Sequence, residues 1–273
     1  MFKTGEENVM LKTILGVMLL MAGMQAQAAI RADVVNYKAG DTSLIGYLAY
    51  DDAIKGKRPG VIVVPDWWGH GEFVRDRARA LARLGYTAMV MDIYGGGTYV
   101  EPPEQASTLM NQLTADPKNM KARFLATKNT LRKHKTVNGQ IGAVGYSLGG
   151  LIVIEMARQG VDLDAVASVW GVISKPGNPA EKGTVRAKLL IQQPAEDGWA
   201  PIEEVNRLKK EMSTAGADIQ VIVYPDTVHA FSRPDADQRA AKYNLGIRYD
   251  AAADKQSWAD LDQFLKIAFK NYN

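Results

Sequence analysis

The feature that most constrains this chain is a short, unbroken apolar run that keeps returning between helical patterns. Val61-Ile62-Val63-Val64 shows no polar alternation, the signature of a strand covered on both faces. Runs of the same kind follow at Thr87 to Met91, Gln140 to Val144, Ala165 to Val169, Lys188 to Ile191 and Ile219 to Tyr224. Helical periodicity occupies Phe73 to Leu84, Pro103 to Leu113, Lys118 to His134, Leu148 to Gln159, Pro201 to Thr214 and Ala251 to Phe269. Ahead of these, Ala32 to Lys38 and Leu44 to Tyr50 flank the turn signal Gly40-Asp41 and read as an antiparallel hairpin. Such alternation predicts right-handed crossovers and an α/β fold, with a mostly parallel central sheet and helices on both faces. No repeat or Pro/Ser-rich linker divides residues 29–273, so one domain is expected there.

Composition removes several kinds of chemistry. The 273 residues include no cysteine, which excludes disulfides, Cys-ligated zinc, iron–sulfur clusters and any thiol nucleophile. The charge balance is 33 Lys+Arg against 30 Asp+Glu, and no basic run with interleaved aromatics suggests a nucleic-acid partner. At the start of the chain Lys12 precedes an apolar run, Ile14 to Met21, that leads to Ala26-Gln27-Ala28. That order reads as a secretory signal over residues 1–28, cleaved after Ala28, and places the mature protein in the periplasm or outside the cell. The run is shorter than the ~20 residues a spanning helix needs, so no membrane anchor is expected.

In open sheets of this class, ligands bind at the carboxyl ends of the strands. After Gln140 to Val144 stands Gly145-Tyr146-Ser147-Leu148-Gly149-Gly150, a G-x-S-x-G between an expected strand and an expected helix, which is the context that motif requires. A serine hydroxyl needs a base to remove its proton. Of the three histidines, His134 sits at a Lys/Arg-rich helix end and reads as a solvated cation. His70 follows Trp68-Gly69 upstream of the serine, as a pocket residue at most. His229 lies five residues past Tyr224 and fits the Ser…acid…His order of α/β hydrolases. The orienting acid should close the strand between them, where Glu196 and Asp197 are both available, with Asp197 favoured. Asp226 is close to His229 and suits a turn. One oxyanion donor in such a motif is the N–H after the nucleophile, here Leu148.

At this point the chain resembles the dienelactone hydrolase family. The residues that carry the likeness are Pro65-Asp66-Trp67-Trp68-Gly69, Gly85-Tyr86, Met91-Asp92-Ile93-Tyr94-Gly95, the serine motif, His229-Ala230-Phe231, and Tyr249-Asp250-Ala251-Ala252-Ala253 leading to Trp258. The resemblance covers nearly all of Asp33 to Phe269. The resemblance implies an α/β-hydrolase fold and a cofactor-free, metal-free hydrolase of lactones or esters, with a triad on Ser147, Asp197 and His229. It also implies a second oxyanion donor on the Trp67 N–H. The family's founding enzymes carry Cys where this chain has Ser147, and members commonly carry Glu where it has Asp66, beside the nucleophile. Of two arginines that hold a substrate carboxylate in the prototype, only Arg233 is matched. The stretch Pro234 to Arg248 is longer than usual and reads as a lid or surface excursion. Trp67, Trp68 and Trp199 bring aromatic surface to one site, favouring a ring-bearing or apolar acyl group. The expected reaction is two-step acyl transfer to water from a small-molecule ester or lactone. A non-catalytic exported binder on the same scaffold is the competing reading.

Overall fold

The structure, a computed structural model, describes residues 30–173 and 179–269; the expected signal segment lies outside them. Eight strands form one sheet in the order β1-β2-β4-β3-β5-β6-β7-β8, with β1 Ile30–Ala39, β2 Thr42–Asp51, β3 Arg58–Val64, β4 Thr87–Val90, β5 Val137–Tyr146, β6 Ala165–Val169, β7 Lys188–Pro194 and β8 Ile219–Tyr224. The β1–β2 hairpin turns at Gly40, whose φ of 58° is open to glycine without a steric cost. It joins the sheet by antiparallel pairing of β2 with β4, and every pairing from β4 to β8 is parallel.

The helices are α1 Glu72–Arg83, α2 Pro103–Ala115, α3 Pro117–Arg132, α4 Leu148–Arg158, α5 Ile202–Thr214, α6 Ala236–Tyr243 and α7 Ala251–Ala268. They cover two faces, each with its own apolar cluster. Residues of α2, α3, α4 and α5 pack on one side of the sheet and residues of α1, α6 and α7 on the other. Helix α1 shows why: Val74, Ala78, Leu81 and Ala82 recur at i, i+4, i+7 and i+8, so one stripe faces the sheet. Burying each larger aliphatic side chain contributes about 1.5–3 kcal/mol. Among the described residues no helix is long and apolar enough to cross a membrane.

Three elements depart from the sequence reading. Strand β3 begins at Arg58 rather than Val61, because Pro59-Gly60, a turn signal in sequence, sits at an irregularity in the β3–β5 register. Buried Arg58 donates its backbone N–H to Thr136 O at 2.7 Å and its guanidinium to Asp51 O at 2.7 Å. Helix α3 stops at Arg132. His134 is half-buried, bonded through Nδ1 to Thr136 Oγ1 at 2.8 Å, and burial with neighbouring Lys135 lowers its pKa. Helix α6 lies where no helix is legible, inside the long stretch Pro234 to Arg248; only Ala236 and Arg239 are buried on it, too few to leave an apolar period.

The tightest packing occurs where β5 turns into α4. A Cβ on Gly149 would overlap the Val64 carbonyl oxygen and lie 2.7 Å from that of Pro65, and one on Gly145 would overlap Gly149 O. Both obstacles are backbone and cannot rotate away. We expect Gly149→Ala to destabilise the fold by about 1–3 kcal/mol, seen as a fall of several degrees in Tm by calorimetry. An unchanged Tm would contradict the close approach.

Candidate active site

The β5–α4 turn holds Ser147 at φ 53°, ψ −114°, outside the regions non-glycine residues favour. The conformation is held by its neighbours: Ser147 O accepts from Gly150 N at 2.9 Å and from Val172 N at 3.1 Å, and Ser147 N donates to Val169 O at 3.3 Å. Strain of this kind persists only where the surroundings over-determine it. Its result is a hydroxyl projecting from the carboxyl end of β5, above the first turn of α4, where helical N–H groups lack intrahelical partners.

His229 reaches that hydroxyl from the loop after β8. Thr227 Oγ1 donates to Tyr224 O at 2.8 Å, Glu196 N donates to Thr227 O at 2.9 Å, and Ala230 turns the chain at φ 64°. The imidazole Nε2 lies 2.9 Å from Ser147 Oγ and Nδ1 lies 2.9 Å from Asp197 Oδ2. An ionised carboxylate only accepts, so the proton belongs on Nδ1 and Nε2 is left to accept from the serine. Asp197 closes the relay from the loop after β7. Its other oxygen accepts from Trp199 N at 2.8 Å and Ala200 N at 3.2 Å, which fixes the carboxylate plane. Glu196, the alternative acid, is exposed. Asp226 sits in the turn at φ 55°, its carbonyl accepting from Arg248.

Leu148 opens α4, and Trp67 occupies the loop after β3. That loop is braced on three sides. Asp66 Oδ1 accepts from Trp68 N at 2.9 Å, Asp66 O accepts from Gly69 N at 3.0 Å, and the Tyr94 hydroxyl donates to Trp67 O at 2.9 Å. Tyr94 is placed in turn by Asp92, whose carboxylate collects the N–H groups of Ile45, Tyr94, Gly95 and Gly97. His70, next along, does not line the cavity; it is buried and bonded through Nδ1 to Arg75 Nη2 at 3.2 Å. Burial, then the Arg75 charge, lowers its pKa and keeps the ring neutral at pH 7.

The free space over Ser147 is about 280 Å³, and it is bordered by Asp66, Trp67, Trp68, Trp199, His229 and Arg233, the residues singled out in sequence. Ala230 lines it too, as do Trp170, Leu245 and Ile247, which sequence reasoning did not place there. Trp170 directly follows β6, and the strand-end rule applied to the other loops would have reached it. Leu245 and Ile247 come from the excursion after α6. A wider groove of about 930 Å³ lies on the far side of Arg233, lined by charged residues including Arg77, Asp235 and Asp254, with no serine or histidine among them. Among the described residues no cluster of three acids or histidines could hold a metal ion.

Arg233 stands in a different setting from the one sequence suggested. Its guanidinium pairs with Asp66 and, through Nε, with Asp235 at 2.7 Å, and it lies 4.9 Å over the Phe73 ring. The fork already faces two carboxylates, so a carboxylate-binding role does not follow from its position. Against the upward push of burial, Arg233 and Arg239 hold Asp235 below the usual carboxylate range. The network continues across α6. Arg239 donates to Asp235 and Tyr99 at 2.6 Å each and lies 4.6 Å over the Trp68 ring. Glu101 receives Tyr99, Tyr243, Arg239 and Lys242, and the hydrogen bond from Tyr99 does most to hold its pKa down at about 2. The excursion is thereby latched over Trp68.

Residues 44–269 match the model of the dienelactone hydrolase family. A Salmonella typhi protein named as a carboxymethylenebutenolidase is 27% identical over 228 residues, covering 78% of this chain and 84% of the relative. The crystal structure of a dienelactone hydrolase-like promiscuous phosphotriesterase from metagenomic libraries aligns with a TM-score of 0.81 at 28% identity, covering 88% of this chain and 99% of that one. A dienelactone hydrolase from Anabaena variabilis shares the fold with a TM-score of 0.57 at 16% identity, over 78% of this chain and 96% of its own.

Both members of the Asp66–Arg233 pair are at most 5% exposed in their side chains. Removing one partner of a buried ion pair leaves an uncompensated charge and costs about 3–5 kcal/mol. We expect Arg233→Met to lose stability on that scale in urea unfolding, with Asp66→Asn added in the same chain recovering part of it. Independent, additive losses would show that the pair is not coupled.

Proposed function

Because the chain belongs to the dienelactone hydrolase family and is a hydrolase, we propose that it cleaves small carboxylic esters or lactones by acyl transfer through Ser147. The observation that supports this most is the relay in which Ser147 Oγ, the two His229 nitrogens and Asp197 Oδ2 stand at successive 2.9 Å separations. The Ser147 oxygen attacks the carbonyl carbon while its proton passes to His229 Nε2. Asp197 stays ionised and stabilises the imidazolium. The backbone N–H groups of Leu148 and Trp67 receive the developing oxyanion. The proton then goes to the leaving oxygen, and water, deprotonated by the same imidazole, releases the acid and restores the serine.

The walls define the acyl group. Four indoles with Leu245 and Ile247 offer apolar and ring surface over Ser147. With Arg233 paired to Asp66 and Asp235, the site suits a small, neutral, apolar acyl group or lactone ring better than an anion.

The purified protein should hydrolyse a chromogenic short-chain ester, and failure across an ester and lactone panel would favour the non-catalytic binder. Ser147→Ala should abolish turnover while leaving the fold intact, and His229→Ala should match it, because members of one catalytic unit are strongly non-additive. Asp197→Asn should lower kcat by orders of magnitude, near the ~10⁴ typical of such a change; Glu196→Gln should not. Near-wild-type turnover in Ser147→Ala would refute the serine mechanism, and the reverse pattern at 196 and 197 would reassign the acid. We also propose export. Edman sequencing of the protein from its native host is expected to begin at Ala29, and a chain still starting at Met1 would refute the signal reading.

A further inference from the structure

His229 is enclosed by two indoles that do different things. Trp170 meets the imidazole edge-on, with centroids 5.1 Å apart at 77°, and is itself pinned by its Nε1–H donating to Ser232 Oγ at 2.7 Å. Trp199 lies nearly parallel to the imidazole at 4.9 Å and 19°, and its far side meets Trp67 at 5.5 Å and 88°. Trp199 is 38% exposed while His229 is 3% exposed. Trp199 thus keeps part of its ring open to water while the ring covers a buried imidazole. The same residue's backbone N–H holds Asp197 Oδ1 at 2.8 Å. One residue therefore touches the base through its ring, orients the acid through its backbone and abuts the oxyanion loop.

We propose that Trp199 is a positioning residue for His229, holding the imidazole in register and stabilising the imidazolium through its indole face. While His229 is neutral, the pair gains ordinary stacking. When the Ser147 O–H bond breaks, the proton lands on Nε2 and the new serine–acyl bond forms. The ring is then a cation over a π-face and gains the quadrupole attraction as well. That extra term exists only once the proton has moved, so it favours the transition state over the resting complex and raises kcat without tightening substrate binding. A residue acting solely as a wall for the acyl group would instead alter KM.

The charged groups facing the imidazole are Asp197 from the β7 loop and, around the cavity, the Asp66–Arg233 pair from the loops after β3 and β8. All three remain when Trp199 alone is changed. Replacement by Leu keeps an apolar cover and removes the π-face, whereas Phe keeps a smaller π-face. The inference rests on the acyl-transfer reading, and Ser147→Ala measured alongside separates the two.

The experiment is kcat, KM and the pH profile of kcat/KM for the full chain, Trp199→Leu and Trp199→Phe, with a chromogenic short-chain acetate ester. We expect Trp199→Leu to lower kcat about two- to thirty-fold with KM within about twofold, and to move the acid limb of kcat/KM down by about half a unit to one unit, with Trp199→Phe between it and the parent. Should Leu fail to fold, Trp199→Met against Trp199→Phe makes the same comparison. An acid limb that stays in place or moves up, or a raised KM at unchanged kcat in both variants, overturns the role of Trp199. Turnover surviving in Ser147→Ala overturns the acyl-transfer reading instead.

Discussion

The contact on which the rest of the structure depends is backbone against backbone, where Gly149 at the start of α4 lies on the carbonyls of Val64 and Pro65 at the end of β3. A side chain there would lift the helix off the strand end. With the contact made, the β5–α4 turn has no room to relax, and Ser147 is held at positive φ with its hydroxyl outward. The same contact brings the start of α4 against the strand end that leads into the Trp67 loop, so Ser147 and Trp67 border one small space. Gly145 supplies the matching clearance on the other arm of the turn.

Around that turn, the site is organised by satisfied charge. Asp66 braces the Trp67 loop through Trp68 N and is itself held by Arg233, which pairs with Asp235, which pairs with Arg239, which bonds Tyr99 and Glu101. Each link buries a guanidinium or a carboxylate that would be costly alone. The chain of pairs ties three loops and α6 into one wall and draws Arg239 over the ring of Trp68. Buried networks of this kind specify one arrangement because an alternative leaves a charge without a partner. The aromatic residues then line the space over Ser147.

Local pattern was sufficient wherever the physics is local. Continuous apolar runs marked the parallel strands because both faces of those strands are covered. The Gly-x-Ser-x-Gly motif marked the tight β5–α4 turn at Ser147 because its glycines answer steric needs within five residues. His229 followed from being a strand-end histidine downstream of that serine, and Asp197 was one of two acids the chain offered in the right loop. The sequence favours Asp197 over Glu196; in the fold Glu196 is exposed, while Asp197 is held by the N–H groups of Trp199 and Ala200 and faces the imidazole.

Contacts between distant segments had no such signature. Helix α6 is largely polar, and its place is set by a hydrogen bond to Tyr99 and ion pairs to Glu101, residues about 140 positions away. Arg233 carries the same guanidinium whether it faces a substrate or a buried carboxylate, and only its approach to Asp66, 167 residues upstream, distinguishes the two. Trp170 is not singled out in sequence and Trp199 reads only as part of the pocket's aromatic surface; the parallel neighbours β6, β7 and β8, with their carboxyl ends at one sheet edge, set both against His229. Residue order settles which groups exist and which strand end each occupies, because backbone geometry and apolar periodicity act over a few residues. Which of those groups meet, and in what charge state, is a property of the assembled sheet, since electrostatic and ring contacts depend on distance in space and leave no period in the chain.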